Sequence, residues 1–272
     1  MPDRYAVVGH PVTHSRSPWI HACFARATGE DIEYQSIDAP PDGLERTLDA
    51  FRAAGGRGVN VTLPFKEAAC RYATELSARA RSAQAANTLS FEGARIRADN
   101  TDGAGLLRDL TVNLGRAVAS QHVLLLGAGG AARGVLAPLL EAGPARLVIA
   151  NRTLAKALAL VAGCPGAGRG VRPEALGYEA LSGESFDLVI NATSAGLTGA
   201  ALALPASVFR REALAYDMVY GRATAFLVLA RAAGIAAHDG LGMLVEQAAE
   251  SFYLWRGVRP DTAAVLAALR AH

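Results

Sequence analysis

The residues best placed to do chemistry are a glycine-rich turn and a handful of short polar clusters. The turn is Gly127-Ala128-Gly129-Gly130-Ala131-Ala132, which fits Gly127-x-Gly129-x-x-Ala132. Gly127 permits a tight turn. Gly129 lets the backbone approach a pyrophosphate, and Ala132 lets a following helix pack closely on the preceding strand. A helix that begins there offers free N–H groups and a partial positive charge to phosphate. The pattern predicts dinucleotide binding; the alternative is a tight strand-to-helix turn with no ligand. Sites for an unphosphorylated ribose place Asp or Glu at the end of the next strand. Here that place holds Asn151-Arg152-Thr153, with Lys156 close behind. A carboxylate would repel a 2′-phosphate, whereas a guanidinium, a hydroxyl and an ammonium would hold one. The cofactor expected is NADP; a helix cap with a solvated arginine is the alternative.

The polar clusters lie elsewhere. His14-Ser15-Arg16-Ser17-Pro18 puts two hydroxyls before a helix start, suited to a carboxylate or to a cap. Asn60-Val61-Thr62-Leu63-Pro64-Phe65-Lys66 puts polar groups at the C-terminal end of a strand, where open α/β sheets bind ligands. Ala86-Asn87-Thr88 and Asp99-Asn100-Thr101-Asp102-Gly103 add amides, hydroxyls and carboxylates. Singly, each is also ordinary turn or cap chemistry. The six histidines lack metal-ligand spacing, so no metal is expected. His14-Ser15 does not make a nucleophile, because adjacent side chains point apart and no Gly-x-Ser-x-Gly elbow exists.

These clusters need elements to hold them. Tyr5–Val8 reads as a strand, Ser17-Pro18 opens a helix and Gly29 stops it. Residues 32–38 form a strand, 44–54 a helix and 58–61 a third strand, with Pro64 starting another helix. This β-α-β-α-β order predicts a mostly parallel sheet. A second unit begins near Gln121. It has strands at 123–126, 147–150, 187–191 and 214–218, and a helix at 133–141 after the glycine turn. Residues 242–255 and 260–271 are helical, and 163–172 form a Gly-rich surface loop. The 272 residues are 51% hydrophobic but only 6% aromatic, so the core must be built from Ala, Val and Leu. A net charge of +2 is too small to suggest nucleic acid or an anionic membrane as partner. No signal peptide or membrane span is visible. Cys23, Cys70 and Cys164 read as small buried hydrophobes in a reducing compartment, so a cytoplasmic protein is expected.

Seven motifs together resemble the shikimate dehydrogenase family. They are His14-Ser-Arg-Ser-Pro, Asn60-Val-Thr-Leu-Pro-Phe-Lys66, Ala86-Asn-Thr, Asn100-Thr-Asp-Gly, Gly127-Ala-Gly-Gly-Ala-Ala-Arg-Gly134, Asn191-Ala-Thr-Ser-Ala-Gly196 and Gly242-Met-Leu-Val-Glu-Gln247. They occur in the family's order and span nearly the whole chain.

The resemblance implies an α/β chain of two domains. A mostly parallel N-terminal substrate domain would comprise 1–101 and 241–272, the C-terminal helices packing back on it. A Rossmann-type NADP domain would comprise 102–240. It implies reduction of 3-dehydroshikimate to shikimate with NADPH, by a monomer or homodimer. Lys66 and Asp102 match the catalytic pair. Ser15, Ser17, Thr62, Asn87, Tyr220 and Gln247 match substrate-binding positions. Gly127, Ala128, Gly129, Gly130, Ala131, Asn151, Arg152, Thr153 and Lys156 match the cofactor's phosphate side, and Met218 and Gly240 its nicotinamide side. The chemistry is coherent without the family: hydride transfer to a ketone leaves an alkoxide, which a lysine ammonium can stabilise and protonate. Asp102 would orient Lys66 and keep it charged. Ala78 occupies a position where some members carry an acidic residue near the cofactor, so that contact is not expected. Ala98 replaces a Gly common before the Asn-Thr-Asp motif. The alternatives are a quinate/shikimate dehydrogenase and a non-catalytic NADP-sensing module. Arg152 speaks against the NAD preference of the first, and the retained Lys66 and Asp102 speak against the second.

Overall fold

A computed structural model describes residues 1–164, 170–193 and 203–271. The chain divides into two compact units, Met1–Gly105 with Leu244–His272, and Leu106–Met243. The sequence places these boundaries at 101/102 and 240/241, a few residues away.

The first unit opens with β1 (Asp3–Gly9), α1 (Ser17–Thr28), β2 (Ile32–Asp38), α2 (Leu44–Ala53), β3 (Gly56–Val61) and α3 (Lys66–Tyr72). Pro18 sits in the first turn of α1, and Gly29 closes that helix in the left-handed conformation at φ 73°, which costs glycine little. β1 pairs in parallel with both β2 and β3. Pro64 does not start α3: the Leu63–Pro64 peptide is cis and the helix begins at Lys66. Next come β4 (Glu75–Leu76), α4 (Ala78–Ala83), β5 (Thr88–Glu92), β6 (Arg95–Asp99) and α5 (Asp102–Arg108). The sheet order is β2-β1-β3-β5-β6-β4. β5 runs antiparallel to both β3 and β6, so the sheet is mixed, with a hairpin that the mostly parallel expectation did not include. Leu48, Phe51, Val59, Phe65 and Leu89 fill one core.

The second unit is a doubly wound parallel sheet. Its elements are β7 (His122–Leu126), α6 (Gly130–Glu141), β8 (Arg146–Ala150), α7 (Leu154–Ala162), β9 (Glu174–Leu176), β10 (Phe186–Asn191), β11 (Phe209–Asp217), α8 (Ala225–Ala232) and β12 (Ala236–Asp239). A π-helical turn, Asp109–Asn113, precedes them. The order β12-β11-β10-β7-β8-β9 is parallel throughout. Read from β7, this is the Rossmann order, with its switch point beside β7. The strands are continuous apolar runs because helices cover both faces; Val123, Leu125 and Ile190 face one core, and Leu124, Val148 and Val189 the other.

The chain ends with α9 (Leu241–Arg256) and α10 (Ala263–Arg270). From Leu244 onward it belongs to the first unit. There Trp255 stacks on Tyr5 with ring centroids 4.6 Å apart and donates to the Leu89 carbonyl. Of the cysteines only Cys70 is buried; Cys23 and Cys164 are half-buried, and all three are free thiols. Part of the Gly-rich loop expected at 163–172, residues 165–169, lies outside the described residues, as does part of the Asn191–Gly196 motif, from Ser194 on. No described helix is long and apolar enough to cross a membrane.

Candidate active site

In the first unit, Lys66 is the first residue of α3 and Asp102 the first of α5. Lys66 Nζ donates to Asp102 Oδ2 at 2.6 Å, with 16% of the lysine side chain and 5% of the aspartate side chain exposed. A charge-assisted bond this short and this sheltered fixes both groups. The other oxygen, Asp102 Oδ1, accepts from Asn87 Nδ2 at 2.9 Å. Asn87 is 2% exposed and serves as a hub. Its amide also donates to Thr101 Oγ1 (2.9 Å) and Gln247 Oε1 (3.1 Å). Its carbonyl accepts the Thr101 N–H (2.8 Å) and the Thr88 hydroxyl (3.0 Å).

A further layer of polar residues supports the hub. Asn60, on β3, donates to the Asn87 backbone carbonyl, to Thr88 Oγ1 and, at 2.9 Å, to Ser251 Oγ on α9. Its Oδ1 accepts from Tyr34 (2.8 Å). Burial drives the Tyr34 phenol well above its ordinary pKa, with the Ser17 hydroxyl opposing, so it stays a neutral donor. Ser251 lies one turn after Gln247 and also bonds Thr88 at 2.8 Å. Every group is matched, which is what makes a buried polar cluster rigid rather than costly. Asp99 holds the strand end before Asp102: it accepts from Ser77, from Arg79 and from the Asn100 N–H.

Thr62 directly follows β3, Ser15 lies in the connection from β1 to α1, and Ser17 is the first residue of α1. The Ser17 N–H donates to Ser15 Oγ at 3.2 Å, and the helix cap position itself is Arg16, which makes no side-chain cap bond. Thr62 packs so close to Gly9 that a Cβ there would stand 2.4 Å from the threonine methyl. Lys66, Asp102, Asn87 and Gln247 are joined to one another by direct bonds, while no side-chain bond links Ser15 or Thr62 to those four among the described residues. Ala78, exposed at the start of α4, has no side chain with which to make the acidic contact.

In the second unit the glycine-rich turn joins β7 to α6. Gly127 has φ 105°, and a Cβ would lie 3.2 Å from both the Ala192 carbonyl and the Thr193 methyl, so glycine is required. Gly129 is the residue before α6, and its Cβ position faces open space. No side chain caps α6, leaving its first N–H groups for a ligand. Ala132 is fully buried against the strand. Ala128 completes the turn, and Gly130 and Ala131 are the first two residues of α6. A pyrophosphate fits this backbone. Past the end of β8, Asn151 Nδ2 bonds the Thr153 carbonyl at 2.9 Å, while Arg152, Thr153 and Lys156 are exposed. Thr153 is the cap residue of α7 and makes no side-chain cap bond. After β11, Met218, Val219 and Tyr220 form a turn, and Gly240 approaches it so closely that a Cβ would meet the Met218 carbonyl oxygen at 2.4 Å.

Asn60, Thr88, Thr101 and Asn191 stand in motifs that the sequence singles out but to which it gives them no role of their own, and Ser251, Asp217 and Asp239 have no site role in the sequence reading. Asn60 had a signal: it is a polar residue inside an apolar strand. Among the described residues no group of His, Cys, Asp or Glu could hold a metal.

Residues 7–89 match the shikimate dehydrogenase substrate binding domain, 110–198 the shikimate / quinate 5-dehydrogenase model and 240–270 the shikimate 5′-dehydrogenase C-terminal domain. The shikimate dehydrogenase (NADP(+)) of Methylobacillus flagellatus is 57% identical, with 99% of each chain covered. That of Aromatoleum aromaticum is 56% identical, over 98% of this chain and 97% of the relative. The crystal structure of shikimate 5-dehydrogenase from Thermus thermophilus in complex with NADP(H) and shikimate superposes with a TM-score of 0.86 at 38% identity, covering 99% of both chains. The chain belongs to the shikimate dehydrogenase family.

Proposed function

We propose that this protein is an NADP-dependent shikimate dehydrogenase, which reduces 3-dehydroshikimate to shikimate reversibly. The observation that carries the reading is the Lys66–Asp102 pair at 2.6 Å, held by an amide hub of matched bonds. NADPH, when bound, supplies the hydride. The Gly127–Ala132 turn and the start of α6 hold its pyrophosphate. Arg152, with Thr153, Lys156 and Asn151, takes the 2′-phosphate, and Met218 and Gly240 border the nicotinamide. Ser15, Ser17, Thr62, Asn87, Gln247 and Tyr220 hold the carboxylate and ring hydroxyls of the substrate. Lys66 Nζ stabilises the developing alkoxide and delivers its proton. Asp102 orients the ammonium and balances its charge. The first unit thus acts as substrate domain and the second as cofactor domain. The partners are small molecules, and the three free thiols suit the reducing cytoplasm.

The test is a single assay: reduction of NADP+ and of NAD+ with shikimate and with quinate. Shikimate with NADP+ should win, by at least about tenfold in kcat/KM over NAD+, as one charged hydrogen bond would give. Equal rates with quinate would make the protein a quinate/shikimate dehydrogenase. NADP+ binding without turnover of either acid would make it a sensor.

A further inference from the structure

At the C-terminal ends of β10 and β11 lie Asn191 and Asp217, both fully buried. Asn191 Nδ2 donates to Asp217 Oδ2 at 3.1 Å. The other partners of the carboxylate are the Thr224 hydroxyl (2.5 Å) and the Val219 N–H (3.0 Å). Burial pushes the Asp217 carboxyl up from its ordinary pKa, and the nearby Asp239 adds to this, while Thr224, Val219 and Asn191 oppose. A buried acid held only by neutral donors is costly to keep, and its bonds reach three places: the neighbouring strand at Asn191, the following turn at Val219 and the cap of α8 at Thr224. The Met218 N–H donates to the Asn191 carbonyl (2.9 Å), and the Val219 carbonyl accepts from Gly240 (3.2 Å). The Gly221 N–H donates to Asp239 Oδ2 (3.0 Å). An irregular turn is therefore tied to the ends of three neighbouring strands.

The other end of the Asn191 side chain points the opposite way. Its Oδ1 accepts from both the N–H (3.1 Å) and the hydroxyl (2.7 Å) of Thr193. Thr193 is the residue whose methyl stands over Gly127 in the glycine-rich turn. One amide thus connects the turn that receives the pyrophosphate with the turn that borders the nicotinamide.

We propose that Asn191 and Asp217 are positioning residues for hydride transfer: they clamp the Met218–Gly221 turn relative to the glycine-rich turn and so fix where the nicotinamide ring lies. This rests on reading Met218 and Gly240 as the nicotinamide border. Neither residue touches the reacting atoms. Their loss should therefore disturb hydride transfer while the adenosine end of the cofactor binds as before.

The experiment compares wild type with Asp217→Asn and Asp239→Asn. It measures kcat, the primary isotope effect with 4-deuterated NADPH, and the Kd of adenosine 2′,5′-bisphosphate, which carries the 2′-phosphate but no nicotinamide. Asp217→Asn should lower kcat about 10–100-fold, the scale of a misplaced reacting group. The isotope effect should rise and the bisphosphate Kd should stay within about twofold of wild type. Asp239→Asn changes a half-buried site, preserves folding if Asp217→Asn does not, and should show the same pattern at about 3–10-fold. Wild-type kcat and isotope effect in either folded variant would overturn the proposal. So would a loss of bisphosphate affinity in step with kcat, which marks general collapse of the unit. A wild-type protein that fails to bind the bisphosphate would instead remove the cofactor reading on which the proposal stands.

Discussion

The two binding regions are built from different materials. In the first unit the polar groups are side chains, buried and bonded to one another: Asn60, Asn87, Thr88, Thr101 and Asp102 are all nearly or fully out of water. In the second unit the proposed phosphate side is backbone N–H at a glycine turn, with the exposed Arg152, Thr153 and Lys156 past the next strand. The first arrangement is set before any ligand arrives. The second lets the charge of the ligand organise the cations around it. Chemistry needs fixed distances to atoms that must move protons, whereas an anion needs only a field and donors of the right sign. Damage should accordingly be steep in the first region and graded in the second.

The sharpest break is Lys66→Ala, which should lower kcat by about 10²–10⁴ with KM little changed. Asp102→Ala should also lower kcat. The double mutant should lose far less than the sum, since the two groups act as one. A folded Lys66→Ala enzyme, checked by circular dichroism, that keeps more than about a tenth of wild-type kcat would remove Lys66 from the proton transfer and leave the pair a structural one. The graded side is tested by Arg152→Ala. KM for NADP+ should rise about tenfold and that for NAD+ should hardly move; equal loss with both cofactors would make Arg152 structural.

A third outcome concerns stability in the first unit. His21 is fully buried against Tyr34, with ring centroids 4.1 Å apart, and neither ring nitrogen has a hydrogen-bond partner. Burial lowers its pKa to about 3, the neighbouring Asn60 opposing. The folded value lies below the unfolded one, so the contribution is complete above about pH 6.5 and is lost as pH falls toward 3. Urea midpoints at pH 7 and pH 5 should show about 2 kcal/mol less acid loss in His21→Phe than in wild type. Parallel losses would place the proton elsewhere. The smallest effect is Ser15→Ala, which should raise KM for shikimate a few-fold, roughly one neutral hydrogen bond. A lowered melting temperature with an unchanged KM would leave Ser15 as a local turn former.

What the sequence made legible follows the same division. The phosphate turn is local: Gly127, Gly129 and Ala132 lie within six positions, between a strand and a helix that declare themselves by apolar runs. The Lys66 region was readable as separate motifs, but not its support. Ser251 meets Asn60 across 191 positions and Thr88 across 163, and within α9 it looks like one more small packing residue. The β5–β6 hairpin was within reach, since Arg95-Ile96-Arg97-Ala98 alternates and Gly93 turns at φ 61°. The polar motifs that flank it carry ordinary turn and cap residues, which mask where its strands begin and end. β9 and β12 are three and four residues long, and their pairing is decided by the neighbouring strand rather than by their own composition.

The position of Trp255 has a practical consequence. The chain has two tryptophans, Trp19 and Trp255, and both belong to the first unit. Trp19 is partly open to solvent, and Trp255, in the last turn of α9, stacks on Tyr5. Intrinsic tryptophan emission therefore reports on the first unit alone, and the second unit is dark at that wavelength. Light and far-ultraviolet ellipticity, followed together through a melt, would time the unravelling of each half of this enzyme without a label.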